Sequence, residues 1–366
     1  VSIASLIIHN PKAKLAMKTI PQFAIALVPV AFSLFLTSLL ILLVGNNPFE
    51  VASLVINGAL GNPTSVANLL NFWIPLVLCA IGLIVTFRAG LYNINVEGQM
   101  MAGAIGSSFV ALYVPNLPTL VLIPLAILVA MLAGMATGVV VGVLKTRLGI
   151  NEIFGGVAVN ALINLYSIYL ISGPWQPAEG GSAQSTPQFP QEAWLLPFSN
   201  EFPLNLSLFI VAIVAIFGVA YVLNGTKWGL QLKATGKNPR SALLLGVPVE
   251  RSTLSALLVC GALAGIAGAH RTLFIYQSLR PLVSGGIGFL ALLVVLLASV
   301  RVLWVTVISL AFAAILAGST RLKIALQLDQ SLAGVLQGLI VLSVLLFNGY
   351  RQQWEERNRS GEKGKG

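Results

Sequence analysis

Long apolar runs return along almost the whole chain, parted by short polar or Gly/Pro-rich breaks, and they leave few choices of fold. Leu206–Leu223 and Thr119–Leu144 each carry no charged residue. An uncharged apolar run of about 18 residues or more is long enough to cross a bilayer as a helix. In lipid the backbone has no water to bond to, so only helices and closed barrels can span. A barrel would show segments of about ten residues with alternating polarity, and none is present. The chain is therefore expected to be all-α, a polytopic integral membrane protein. Only 9% of its 366 residues are charged and 57% are hydrophobic, too little polar surface for a soluble domain of this length.

Charge sets the expected topology, because cytosolic loops collect Lys and Arg. Residues 1–21 hold Lys12, Lys14 and Lys18 with no acid and read as a cytosolic lead. The first span, 22–44, is too long for a signal-peptide core and lacks a small-residue cleavage site, so a retained anchor is expected. An interfacial helix and outer loop follow at 49–71, then spans near 72–87, 100–114, 119–144 and 151–172. The largest outer loop, 173–203, has three Glu and no Lys or Arg. Spans near 204–223, 252–275, 289–300, 302–318 and 332–347 complete a permease domain over 22–348, with a cytosolic tail at 349–366. The glycine-rich stretch 280–288 has a re-entrant option. This gives about ten transmembrane helices with both termini cytosolic, and loops on the cytosolic side hold 17 of the 21 Lys and Arg residues. The exceptions are Arg271, Arg280, Arg321 and Lys323. The net charge of +10 thus reflects topology, and no nucleic-acid partner is expected.

Two polar interruptions stand out. The first, FRAGLYNINVEGQ at 87–99, places Arg88, Asn93, Asn95 and Glu97 between apolar spans. It is either a cytosolic connection or a helix break at membrane depth, which needs burial in protein or a wet cavity. Arg88 and Glu97 read as an ion pair, tying a turn or serving function. Asn93 and Asn95 fit helix caps or the lining of a path; Asn160 and Asn164, one turn apart, fit a path or plain interhelical hydrogen bonds. Gly134, Gly138 and Gly142 stand four apart, a spacing that lets helices approach closely.

The second interruption is the basic loop 224–251. Within it Asn238 suits an N-cap with Pro239 at the first helical position, and Gly246 and Pro248 end a short helix. A short capped helix on a basic cytosolic loop suits a docking element; the plain alternative is an ordinary basic connection. No phosphate loop GxxxxGK[ST] is present, no Ser-His-Asp or Cys-His set can be assembled, and the two Cys and two His residues form no metal motif. No enzyme activity and no cofactor are expected.

FRAGLYNINVEGQ at 87–99, Asn151-Glu152, and ATGKNPRSALLLGVPV at 234–249 resemble the permease subunits of bacterial ABC importers. The likeness is to the nucleoside and simple-sugar branch of the ribose and branched-chain amino-acid permeases, over roughly 20–350. The resemblance implies a protein of the bacterial inner membrane that works with ATP-binding subunits, a second permease subunit (in this branch often a different chain) and an extracytoplasmic substrate-binding lipoprotein. It implies that Thr235, Gly236, Lys237, Asn238, Pro239, Arg240, Ala242 and Gly246 form the helix that couples to the ATPase. It also implies transport by alternating access. For a neutral nucleoside or sugar, Asn93, Asn95, Asn160 and Asn164 are the candidates along the path. One departure stands out: the family usually has an acid after Gly-Phe, where Gly288-Phe289 is followed by Leu290. The rival expectation is an ATP-independent secondary transporter or channel, which would usually carry acids inside the membrane.

Overall fold

The computed structural model describes residues 45–177 and 184–326, with scattered positions at 32–43 and 335–346; at 321–326 the backbone alone is described. Every regular element among the described residues is helical. From residue 48 on, the α-helices are, in order, α1 (Pro48–Leu60), α2 (Pro63–Arg88), α3 (Val96–Tyr113), α4 (Thr119–Thr146), α5 (Glu152–Ser172), α6 (Leu206–Gly225), α7 (Lys227–Lys237), α8 (Pro239–Leu244), α9 (Val249–His270), α10 (Ile287–Leu297) and α11 (Val302–Leu326), with a 3-10 turn, Gln191–Ala193, between α5 and α6. A π-helix, Arg271–Tyr276, prolongs α9.

Residues 54–321 make one compact unit, and residues 1–53 with 322–366 another. In the second, Asn47 opens α1 by accepting from the Phe49 N–H through Oδ1 (3.0 Å). The first unit is built around α2 and α3, which are buried along most of their lengths. Around them pack α9, α4 and α10. The outward faces of α4, α5 and α6 expose residues such as Leu128, Leu162, Tyr169, Ile210 and Phe217, the surface expected against lipid or another apolar chain.

Apolar burial drives association weakly in lipid, so close packing must hold such helices together. The glycines answer that need. A Cβ on Gly134 of α4 would overlap the Gly261 carbonyl of α9, and one on Gly138 would lie 2.7 Å from the Leu257 carbonyl oxygen. A Cβ on Gly103 of α3 would likewise overlap Gly265 of α9. The Gly134/Gly138/Gly142 spacing is thus the seam between α4 and α9.

Six of these helices are long and apolar enough to cross a membrane: α2, α4, α5, α6, α9 with its π extension, and α11 to Thr320. The expected count of about ten is not reached among the described residues. The 18-residue α3 is not among the six, its apolar sequence interrupted by Glu97, Gln99, Ser107 and Ser108. The 11-residue α10 is too short. The expected first and last spans fall largely outside the described residues, and 1–21 and 349–366 do so wholly. Two boundaries also move. The helix expected from Phe72 begins at Pro63, because Asn62 caps it by accepting from the Ser65 N–H (2.7 Å). The first half of the basic loop is helix α7, opened by Thr226.

The two ends of the bundle differ in charge. At one, Lys145 pairs with Glu152 (2.5 Å) and Arg147 with Glu250 (3.6 Å), beside α7 and α8. At the other, the 184–205 segment is laced to the π-helix and its sequel. Thr186 N–H donates to the Leu279 carbonyl (3.0 Å), Phe189 N–H to Gln277 (2.9 Å) and Leu195 N–H to Leu273 (3.1 Å).

Candidate functional site

The two polar interruptions of the sequence meet at the basic end. Helix α2 stops at Arg88, and Gly90 turns the chain in the left-handed region (φ +76). A Cβ on Gly90 would lie 2.9 Å from the Gly236 Cα in α7; one on Gly236 would lie 2.8 Å from the Gly90 nitrogen. Backbone rests on backbone there, and only glycine on both sides permits it.

Beyond Gly90, residues 91–93 have no regular structure and α3 begins at Val96. Leu91, Asn93 and Asn95 of the break are buried in protein, as the polar groups of such a break among apolar helices must be, while Gly90 and Tyr92 are exposed. The amides of the break are tied to neighbouring helices. Asn93 Nδ2 donates to Gln99 Oε1 (3.0 Å) and towards Cys260 Sγ (3.2 Å). Gln99 Nε2 donates to the Leu257 carbonyl (3.3 Å), and Asn95 Nδ2 to the Thr137 carbonyl (3.4 Å). Asn95 occupies the cap position of α3 but makes no side-chain cap. Asn93 and Asn95 are 1% and 0% exposed, so in this conformation neither lines an open path. Their Oδ1 atoms are buried without a protein hydrogen-bond partner.

Asn160 is half-buried on α5 and lies against the break: a Cβ on Gly98 would sit 2.6 Å from Asn95 Oδ1 and 2.9 Å from the Asn160 Cα. Asn164 Nδ2 donates to the Asn160 carbonyl (3.0 Å) and to its Oδ1 (2.9 Å). That pair lies along one helix and does not bridge two, as four-residue spacing on a helix dictates. The structure thus gathers Asn93, Asn95 and Asn160 around the start of α3, with Asn164 one turn further along α5.

Arg88 and Glu97 do not form the expected ion pair; the irregular stretch between them sends the two side chains to different places. Glu97 Oε1 accepts from Ser284 Oγ (2.5 Å) and the Gly286 N–H (3.0 Å), and Oε2 from the Gly288 N–H (2.7 Å). Arg88 instead donates through a terminal guanidinium nitrogen to the Val300 carbonyl (3.1 Å). Ser284, Gly286, Gly288 and Val300 are residues that sequence reasoning missed. The glycine-rich turn was visible, but nothing local in the chain couples it to an acid about 190 positions away.

The short capped helix of the basic loop forms as its sequence suggests. Asn238 Oδ1 accepts from the Ser241 N–H (3.1 Å), Pro239 takes the first position of α8, and Gly246 follows with φ +79. Thr235 and Ala242 are buried, while Lys237, Asn238, Pro239, Arg240 and Gly246 are exposed. Beyond them project Leu243, Leu244 and Leu245, which are 65%, 89% and 81% exposed. Trp228 Nε1, donating to Ser255 Oγ (2.9 Å), ties α7 to α9. No group of three metal-ligating side chains occurs among the described residues.

A largely buried polar helix break thus lies against the capped basic segment of α7 and α8, which exposes three leucines. The family model for the permease component of the branched-chain amino acid transport system matches residues 65–345, and the chain belongs to that family. It is a multi-pass membrane protein, and in bacteria such a permease sits in the inner membrane. Among its relatives is a nucleoside ABC transporter permease of Lactococcus lactis, 30% identical over 67% of this chain and 69% of the relative. A glucose ABC transporter permease of Haloferax volcanii is 28% identical over 76% of each chain. A guanosine ABC transporter permease of Bacillus subtilis is 25% identical over 90% of this chain and 94% of the relative.

Proposed function

We propose that this chain is the permease subunit of an ABC importer for a small neutral polar solute, a nucleoside or a simple sugar. It passes the solute by alternating access driven by separate ATP-binding subunits. The observation that carries the reading is the foot at 227–246: a capped helix with exposed leucines, basic residues around it, seated on the turn that leads into the buried break. Apolar side chains that stand in water on a short helix suit a cleft in another protein. The basic end is then cytosolic, which agrees with the positive-inside rule, and the full chain makes about ten crossings with both termini inside.

The remaining partners are a second permease subunit against an exposed apolar face and an extracytoplasmic substrate-binding lipoprotein at the opposite end. Thr235, Gly236, Lys237, Asn238, Pro239, Arg240, Ala242 and Gly246 transmit the movement. Asn93, Asn95, Asn160 and Asn164 meet the solute when the buried break opens. Amides suit neutral hydroxyl and base edges better than charges do, and the relatives named for nucleosides and glucose agree with that choice.

The test is uptake of labelled nucleosides, sugars and amino acids by vesicles holding the assembled complex, with and without ATP. ATP-dependent uptake of a nucleoside or sugar is expected. Uptake by this chain alone, without ATP or partners, would replace the reading with an ATP-independent transporter.

A further inference from the structure

Arg88 and Glu97 reach the two ends of the same helix. Helix α10 is 11 residues long, about 16 Å. Its cap position is Gly286, which brings no side-chain cap of its own. The Glu97 carboxylate takes that role from α3, bonding the Gly286 and Gly288 amides together with Ser284 Oγ. Contact there is close: a Cβ on Gly288 would lie 2.6 Å from Glu97 Oε2 and 2.7 Å from its Cα. At the far end Arg88 holds the Val300 carbonyl. The acid stands at the positive end of the helix and the guanidinium just beyond the negative end, so each charge is favourably placed.

The exit from α10 is strained. Ser299 and Val300 both lie in the left-handed region (φ 50 and 57), and a β-branched residue there is an outlier. Such strain persists only where its surroundings enforce it, and the Arg88 bond to Val300 is one such restraint. Ahead of α10, Leu282, Gly285 and Gly286 also have positive φ (52, 61 and 75). Residues of unusual conformation therefore flank α10 on both sides. Its lead-in is held separately, by Arg271 Nε donating to the Val283 carbonyl (3.2 Å).

We propose that Arg88 and Glu97 are the two jaws of a clamp that binds α10 to the 88–97 break, so that α10 moves with the coupling foot as one body. Gly236 rests on Gly90, between the jaws in sequence, so a push on α7 and α8 reaches both ends of α10. This rests on the importer reading and assigns the two charged residues of the motif as positioning residues rather than an ion pair or solute ligands.

The test uses the complete transporter in proteoliposomes and measures solute taken up per ATP hydrolysed. Glu97→Gln, Arg88→Met and the double variant are compared with wild type. Each single variant is expected to lower uptake per ATP by about tenfold, while hydrolysis continues. The double should fall no further than the worse single, because parts that act as one unit are not additive. A second measurement follows a spin label at 301, at the exit of α10, against one at 217 on α6. In the wild type this distance should change between nucleotide-free and ATP-trapped states, and in Glu97→Gln it should not.

A distance that does not change in the wild type overturns the clamp, even where the variants fail to assemble. So does unchanged uptake per ATP in the singles, or a further loss in the double. If the wild-type complex shows no ATP-dependent uptake, the importer reading falls and the clamp with it. If uptake is ATP-driven but indifferent to both residues, only the clamp falls.

Discussion

Replacing Gly236 with alanine adds one methyl group where the structure has no room. The new Cβ would stand 2.8 Å from the Gly90 nitrogen and 3.0 Å from the Ala89 carbonyl carbon, and would overlap the Arg88 carbonyl. Ordinary carbon contacts lie near 3.5–4.0 Å, so α7 must back off by roughly 0.5–1 Å. All three neighbours are backbone, so no rotamer change can absorb the clash. Overpacking of this kind costs about 1–3 kcal/mol, and each 1.4 kcal/mol is about tenfold in an equilibrium. The seated arrangement of the foot would then be depleted by roughly five- to 150-fold. ATP-driven uptake by Gly236→Ala vesicles is expected to fall at least about fivefold, with the complex present at its normal level. The control is Gly218→Ala on α6, where nothing lies within 4 Å of the added carbon; uptake there should match wild type. Wild-type uptake by both Gly236→Ala and the larger Gly236→Val would refute the argument that motion passes through the Gly90–Gly236 contact.

Further outcomes follow from other contacts. Leu244→Asp and Arg240→Glu should leave the chain in the membrane but strip the ATP-binding subunits from it, read by co-purification; retention of those subunits by both would remove α8 as their docking point. Gln99→Leu breaks two buried hydrogen bonds and should cost about 1–3 kcal/mol, seen as a lowered melting temperature in detergent. Gly134→Leu should keep α4 off α9, so that the chain fails to accumulate in the membrane. A cysteine placed at 237 should react with an impermeant thiol reagent from the cytosolic side alone, and one at 188 from the outside alone; the reverse pattern would invert the topology.

How much was legible differed from element to element. The capped helix α8 was readable to within a residue because Asn238, Pro239 and Gly246 act through local backbone chemistry. Its half-exposed prelude α7 was not, since it is short and polar and is held by the distant contacts of Trp228 and of Gly236 on Gly90. The glycine spacing on α4 announced a close seam but could not say that α9 was the partner. The asparagines could be read as polar groups in an apolar setting, but the burial of Asn93 and Asn95 depends on α3, α4, α5 and α9 meeting at one point.

By itself the sequence determined that the regular structure of the described residues is helical, that the chain breaks near 88–95 and 238–248, and which loops gather the basic residues. Those follow from local matters: run length against bilayer thickness, caps, proline and glycine. Only the tertiary structure decided that Arg88 and Glu97 face away from one another to hold the two ends of α10, and that Gly236 lies on Gly90. Such pairings join residues about 150 to 210 positions apart, and a charge or a missing side chain carries no label for its distant partner.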